Sequence, residues 1–327
     1  MTPRPDTGRS RISMMGLWTS STEDGRNQAG SRRATHSRAP PQLVGRVFRG
    51  SAAVRSGYLT RHQLHSSAWR RLYPDVYARA TLPLNHQVRA FAATRVLLPS
   101  AVACGRTAAV LWGVELAGPE DPVECVVPAS CRGGAVPGVR VTRRALPDDR
   151  IVTRRDIRTT DALHTALDLA AIRPMDDAVV ALDQFLGPGL VLLDEVREAA
   201  RTVTGRHCRQ VRRATDLADG LAGSPQETRL RLLLHRSDLP RPIAQYSVRI
   251  GDQFVARVDF AWPEQRLALE YEGVWHGEHQ QVARDRRRLN GLTRAGWRVI
   301  FVTASDLRDP ARLVAWIVEA LASRRSA

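Results

Sequence analysis

Alternating apolar and polar positions predict two neighbouring strands near the C-terminus. They lie in residues 255–262 (VARVDFAW) and 266–273 (RLALEYEG), with Pro263-Glu264-Gln265 between them. Successive side chains of a strand point to opposite faces, and a short connection joins antiparallel neighbours. The pattern therefore predicts a β-hairpin. It is followed by a helix over 280–294, a buried strand in WRVIFVTASDL and a closing helix over 310–323.

A helix start signal precedes this hairpin. Ser224-Pro225-Gln226-Glu227 stands before the apolar run TRLRLLLH. Ser at the N-cap, Pro at the first helical position and Glu three residues after the cap predict a capping box. The order helix, strand, strand, helix, strand, helix predicts an α/β domain with a mixed sheet over residues 220–327.

Three further segments precede this domain, so the predicted fold class is α+β and multidomain. Residues 86–219 are predicted to form a mostly helical middle domain, with two short strands in PVECVVPAS and GVRVTRRAL. Residues 42–85 predict a winged-helix-like unit with a helix over 51–56, a second helix capped by Thr60 and a wing-like hairpin over 68–78. Residues 1–41 are rich in Arg, Ser, Gly and Pro, which predicts a disordered basic arm. A start codon assigned too far upstream, with Met14 or Met15 as the true start, explains the arm equally well.

Charge narrows the possible functions. The 327 residues carry 49 basic residues, all arginine, against 33 acids, a formal net charge of +16. The absence of lysine excludes a P-loop nucleotide hydrolase and Schiff-base chemistry, both of which need its amine. The charge predicts a polyanionic partner, nucleic acid first. A basic surface that only keeps an interaction protein in solution is the alternative.

The apolar runs and the cysteines bear on the cellular location of the protein. No apolar run approaches the roughly 20 residues that a transmembrane helix needs, so no membrane association is expected. The four cysteines form no CxxC pair, which argues against a zinc site and fits a reducing, cytoplasmic location.

The hairpin also places carboxylates together. By strand alternation Ala268, Glu270 and Glu272 share one face, and Asp259 lies on the face opposite to Val258 and Phe260. Asp259 is therefore expected beside Glu270. Two carboxylates about 4 Å apart repel by roughly 4 kcal/mol at an effective dielectric constant near 20. A shared proton or a divalent cation relieves this repulsion, and hard oxygen ligands favour Mg²⁺ or Mn²⁺. A solvent-facing strand is the alternative for Glu270 and Glu272.

Motifs across residues 224–307 carry a family resemblance. VDFAWPEQRLALEYEG, with SPQE upstream and RDRRRLNGLTRAGWRVIFVTASDL downstream, resembles the very-short-patch-repair-endonuclease-like branch of the PD-(D/E)XK restriction-endonuclease superfamily. The resemblance implies a metal-dependent DNA endonuclease in which Asp259 and Glu270 bind the metal and Glu227 completes the site. The lysine that the superfamily carries two residues after the second acid is replaced by Glu272, a third ligand or a general base.

Residues near this motif have candidate roles of their own. His276, on the loop after the acidic strand, could move a proton near the phosphate, or it could be a plain loop histidine. Four arginines lie on the following helix: Arg284, Arg286, Arg287 and Arg288. They either form a solvated helix face or contact DNA phosphates. For Glu227, helix capping alone is a sufficient explanation.

The N-terminal unit carries a second resemblance. LTRHQLHSSAWRRLYPDVYA resembles the winged-helix domain of AbiEi-type antitoxins of type IV toxin–antitoxin systems, which bind operator DNA. It implies DNA contacts by Arg70 and Arg71 and a possible toxin partner. No full recognition helix fits between Leu64 and Trp69. The alternative function is therefore a catalytically inactive, antitoxin-like repressor. Cutting both DNA strands would call for two active sites, and hence a homodimer.

Overall fold

The protein has an α+β fold that divides into two compact units, Met1–Pro83 and Leu84–Ala327. The computed structural model describes residues 40–273 and 279–323, without the side chains of 279–285. The predicted basic arm thus lies almost entirely outside the described residues. The helices of the described part are too short or too polar to cross a membrane.

The first unit is a small sheet covered by two short helices. The elements are β1 (Val47–Arg49), α1 (Gly50–Arg55), α2 (Arg61–Leu64), β2 (Trp69–Tyr73) and β3 (Val76–Arg79). The sheet is antiparallel in the order β1-β3-β2, and β1 was not predicted. Thr60 caps α2 through a capping box with Gln63, so this prediction is confirmed. Since α2 has four residues, it is shorter than the full helix that major-groove recognition calls for.

The middle segment is helical, as predicted, but it also contains a five-stranded sheet. The strands predicted in PVECVVPAS and GVRVTRRAL are both present. The other three strands were missed because two to four residues carry no clear period. The elements are α3 (His86–Phe91), extended by a π-helical stretch (Ala92–Leu97), β4 (Val102–Ala103), α4 (Gly105–Leu111), β5 (Val123–Val127), β6 (Val139–Arg143), β7 (Ile151–Arg154), β8 (Ile157–Thr160), α5 (Ala162–Ala170), α6 (Met175–Leu186), α7 (Leu193–Thr202) and α8 (Cys208–Leu217). The strand order is β6-β5-β4-β8-β7.

The C-terminal segment forms a four-stranded mixed sheet. Its elements are α9 (Pro225–Arg236), β9 (Ile243–Ile250), β10 (Gln253–Trp262), β11 (Leu267–Tyr271), α10 (His279–Arg294), β12 (Arg298–Val302) and α11 (Pro310–Ala322). The strand order is β12-β11-β10-β9. β11 and β12 are parallel, and the other pairs are antiparallel. The predicted order lacked β9, because IAQYSVRI does not alternate cleanly.

Helices cover both faces of this sheet. Leu230 of α9 and Ile317 of α11 belong to one hydrophobic cluster with Leu267 and Leu269. Leu292 of α10 belongs to a second cluster on the opposite face. This layering sets α9 and α10 on opposite sides of the acidic hairpin.

Helix α9 also packs against α6 of the middle segment through a buried acid. Asp183 of α6 has no solvent exposure. Its carboxylate accepts hydrogen bonds from Thr228 Oγ1 at 2.9 Å and Arg231 Nη2 at 2.7 Å, both on α9. Residues on both sides of the predicted 219/220 boundary therefore belong to one compact unit.

Candidate functional site

The register of β10 and β11 sets the two predicted strand carboxylates side by side. Phe260 pairs with Leu269 and Ala261 with Ala268, so the next position in register joins Asp259 and Glu270. Asp259 Oδ2 accepts a hydrogen bond from the backbone N–H of Tyr271 at 2.9 Å. The carboxylate of Asp259 therefore lies against the strand that carries Glu270.

The strand around Asp259 is less regular than the sequence predicted. Val258 and Phe260 were expected on one face, but they belong to hydrophobic clusters on opposite faces of the sheet. The facing position on β9 is Gln245, which lies between the residues paired with Val258 and Phe260 and has a φ of +51°. This left-handed conformation is uncommon for a residue with a side chain. Gln245 thus lies opposite Asp259, at the point where the faces of β10 stop alternating.

Gln245 joins two of the candidate carboxylates. Its Nε2 lies 3.4 Å from Glu227 Oε2, and its side chain also hydrogen-bonds Asp259. Three elements, α9, β9 and β10, thus bring Glu227, Gln245 and Asp259 to one point. Gln245 was not predicted as a site residue, because its strand was not recognised.

Helix capping explains only part of the position of Glu227. Ser224 Oγ accepts a hydrogen bond from the Glu227 N–H at 3.2 Å, as a capping box requires. The carboxylate, however, accepts from Gly223 N at 2.8 Å rather than from the backbone N–H of the N-cap residue. The predicted reciprocal bond to the N-cap is therefore wrong in detail. The Glu227 carboxylate is therefore bound by Gly223, the residue before the N-cap, and it also contacts Gln245.

Burial makes the charged forms of these two acids costly. Burial raises the pKa of Glu227, and the nearby negative charge of Asp259 raises it further. Burial likewise raises the pKa of Asp259, opposed by the Tyr271 N–H and by the Arg288 charge. A bound cation or a shared proton stabilises two carboxylates that are partly buried and repel each other.

Glu270 has a different electrostatic environment. It is 6% exposed, and Arg288 of α10 binds both of its oxygens. The Nη1–Oε2 distance is 2.7 Å and the Nη2–Oε1 distance is 2.5 Å. Arg288 Nη2 also donates to the carbonyl oxygen of Arg257 at 2.9 Å. Glu270 therefore forms an ion pair with the helix that follows its strand.

The other predicted residues of this domain lie apart from the paired acids or outside the described residues. Glu272 is exposed, and its backbone N–H bonds the carbonyl of Val302 at 2.7 Å. Arg286 and Arg287 are exposed on α10. His276 lies outside the described residues, as does the side chain of Arg284.

The arginines predicted on the N-terminal hairpin lie on its exposed side. Arg70 and Arg71 are exposed on β2, between the buried Trp69 and Tyr73. Residues 40–83 contain seven arginines and a single acid, Asp75, whose carboxylate accepts from Ser51 N and Oγ. The described part of the first unit is therefore strongly basic.

The donors near Asp259 fit a hard divalent cation in their chemistry, although they form no complete ligand set. Asp259 and Glu227 offer carboxylate oxygens, which Mg²⁺ and Mn²⁺ prefer. Within residues 40–273 and 279–323 no three acidic, histidine or cysteine side chains stand ready to hold a metal. Because Arg288 already binds Glu270, Asp259 and Glu227 are the first candidates as ligands.

Two proteins of Mycobacterium tuberculosis are similar to this chain over most of their length. They are uncharacterized protein Rv2248 of strain H37Rv and uncharacterized protein MT2308 of strain CDC 1551. Each is 32% identical over 231 residues, which cover 69% of this chain and 83% of the relative. The chain belongs to their family. No family model matches the chain.

A solved structure shows a weaker likeness. The crystal structure of the RV2827C protein from Mycobacterium tuberculosis covers 64% of this chain and 85% of its own, at 12% identity and a TM-score of 0.37. The names of the family members state no activity. The chemistry of the Asp259 site therefore rests on its geometry alone.

Proposed function

We propose that this protein is a metal-dependent endonuclease that hydrolyses phosphodiester bonds in DNA, with a PD-(D/E)XK-like C-terminal domain. The observation that carries the proposal is the meeting of Glu227 and Asp259 through Gln245, with Glu270 beside Asp259 in the strand register. Structural acids seldom gather in a partly buried group, because each buried charge costs free energy unless it is paired. A site that binds a cation accounts for the arrangement.

Asp259 and Glu227 would hold the ion, Mg²⁺ or Mn²⁺, and Glu270 would complete the site. When bound, such an ion activates water and stabilises the charge that develops on a phosphodiester. The protein's own residues orient the acids. Gln245 holds Glu227 and Asp259 together, and the Tyr271 N–H fixes Asp259. His276 stays a candidate for moving a proton to the leaving oxygen.

The arginine excess supports DNA as the substrate. The exposed Arg286 and Arg287 lie on α10, within one turn of the Arg288–Glu270 pair, and Arg284 precedes them. Guanidinium groups bind phosphate oxygens in pairs, and such contacts weaken as salt rises. A cytoplasmic location and a homodimer that cuts both strands remain parts of this proposal.

The test is cleavage of supercoiled plasmid by the full-length protein with Mg²⁺ or Mn²⁺. Asp259→Asn and Glu227→Gln should each lower the cleavage rate by a factor of about 10²–10³, the loss typical of a group that stabilises the transition state. Glu264→Gln is the matched control, because Glu264 is an exposed acid in the turn of the same hairpin. Cleavage that persists in both site variants would refute the site.

A DNA-binding repressor is the second candidate. It is favoured by the exposed carboxylate of Glu272 in place of a lysine and by the basic first unit. Electrophoretic shifts with the protein's own promoter should then weaken in Arg70→Gln and Arg71→Gln, with each variant lowering the slope of log K against log salt by about 1. Equal affinity for promoter and random DNA would contradict this function. A toxin partner belongs to this candidate alone.

A further inference from the structure

A fixed positive charge beside the acids would favour the binding of a DNA phosphate at the proposed nuclease site. Glu227, Asp259 and Glu270 carry three negative charges when ionised, and the substrate is itself an anion. The superfamily position for a lysine holds Glu272, which is exposed and cannot supply positive charge. The chain contains no lysine, so a permanent positive charge in this site must come from arginine.

Arg288 is placed to provide that charge. It extends from α10 and binds both oxygens of Glu270 in a two-pronged pair, with a third bond to the Arg257 carbonyl. Its charge also favours the ionised form of Asp259. The Arg288 side chain is 35% exposed while that of Glu270 is 8% exposed, so the guanidinium lies at the boundary between the buried acids and solvent.

The donors of this guanidinium are suited to a phosphate as well as to a carboxylate. A guanidinium has five N–H donors, and its bonds to Glu270 and Arg257 use three of them. Its planar fork matches two oxygens of a phosphate as well as it matches a carboxylate. A cation bound by the acids would weaken the hold of Glu270 on Arg288 and leave the fork facing the substrate.

We propose that Arg288 is a catalytic residue that binds a non-bridging oxygen of the scissile phosphate and does the work of the missing lysine. This inference rests on the proposed nuclease function. It is separate from a purely structural role, in which Arg288 only neutralises the buried Glu270. In the structural role, loss of Arg288 should damage the site as a whole. In the catalytic role, loss of Arg288 should spare cation binding.

The experiment combines two measurements on the full-length protein. The first is the single-turnover rate of plasmid cleavage, and the second is calorimetric titration with Mn²⁺ in the absence of DNA. Arg288→Gln removes the charge, Arg288→Lys keeps a charge without the fork, and Arg294→Gln is the control on the exposed last turn of α10. Circular dichroism checks that each variant is folded.

We expect Arg288→Gln to lower the cleavage rate by about 10²-fold or more while it binds Mn²⁺ at least as tightly as the wild type. Arg288→Lys should recover part of the rate, and Arg294→Gln should match the wild type. A wild-type rate in Arg288→Gln would overturn the catalytic role and leave the nuclease proposal standing. Parallel loss of Mn²⁺ binding and cleavage would make Arg288 a positioning residue. Wild-type protein that cuts no DNA would overturn the nuclease function and this inference with it.

Discussion

Removal of the Asp183 carboxylate should loosen the packing of α9 against α6. The carboxylate has no solvent exposure and accepts four hydrogen bonds. Oδ1 accepts from the N–H groups of Asp219 and Gly220, each at 3.0 Å, and Oδ2 accepts from Thr228 and Arg231. Asp183→Ala would leave these donors without their acceptor and would leave Arg231 with Asp219 as its remaining acidic neighbour.

The structure sets the size of this effect. The Arg231 side chain is 18% exposed, so water compensates little for its lost partner. Breaking a buried ion pair from one side costs roughly 3–5 kcal/mol, and the remaining Arg231–Asp219 pair places the loss at the lower end of this range. In a unit of this size each kcal/mol lowers the melting temperature by about 2–4 °C. We therefore expect a fall in melting temperature on the order of 10 °C.

Urea denaturation of the full-length protein, followed by tryptophan fluorescence, measures the change. Asp177→Ala is the matched control, since Asp177 of α6 also pairs with α9, through Arg229, but its side chain is 33% exposed. Exposed pairs contribute about 0–1 kcal/mol. A loss below about 1 kcal/mol in Asp183→Ala, equal to that of the control, would refute the view that this acid joins the two segments.

Three further predictions concern single residues. Burial lowers the pKa of His86 below its ordinary value of 6.5, so the unfolded chain binds the proton more readily than the folded chain. The free energy of unfolding should therefore fall as pH drops below about 6.5. In urea titrations at several pH values, His86→Gln should reduce this dependence of the free energy of unfolding on pH. Gly105 has a φ of +54°, and a Cβ there would lie 2.3 Å from Glu124 Oε2, so this carboxylate would have to leave the Arg106 N–H that it binds at 2.8 Å. Gly105→Ala should therefore cost at least about 1 kcal/mol more than Gly113→Ala, which has positive φ but open space; equal urea midpoints would contradict this. Glu227→Gln should raise the free energy of unfolding by about 1 kcal/mol, because it removes the repulsion between Glu227 and Asp259. Urea titration without metal measures this change, and a decrease would count against repulsion between the two acids.

Local signals in the sequence predicted local structure. Thr60 and Ser224 accept hydrogen bonds from the N–H three residues later, as their positions before apolar runs indicated. The alternation in RLALEYEG correctly separated Leu267 and Leu269 from Ala268. Together with the hairpin turn, it was enough to place Asp259 next to Glu270 along the register.

Long-range pairings could not be predicted in the same way. Gln245 reaches the site from a strand whose alternation is broken by its own left-handed backbone, so neither strand nor residue gave a readable pattern. The pairing of Arg288 with Glu270 depends on which arginine of a dense run faces the sheet. Asp183 did leave a signal. It is a single acid within the apolar run AVVALDQFL, and such a residue needs buried partners.

The double role of α9 has a consequence for how genes of this family can recombine. The helix supplies Glu227 to the acidic group and Thr228 and Arg231 to the bonds with Asp183. A crossover near residue 220 would join α9 to a foreign α6 and leave buried polar groups unmatched. A crossover at Pro83 and Leu84 falls between the two compact units. Natural chimaeras should therefore exchange the segment 84–327 as a whole, with varied N-terminal partners.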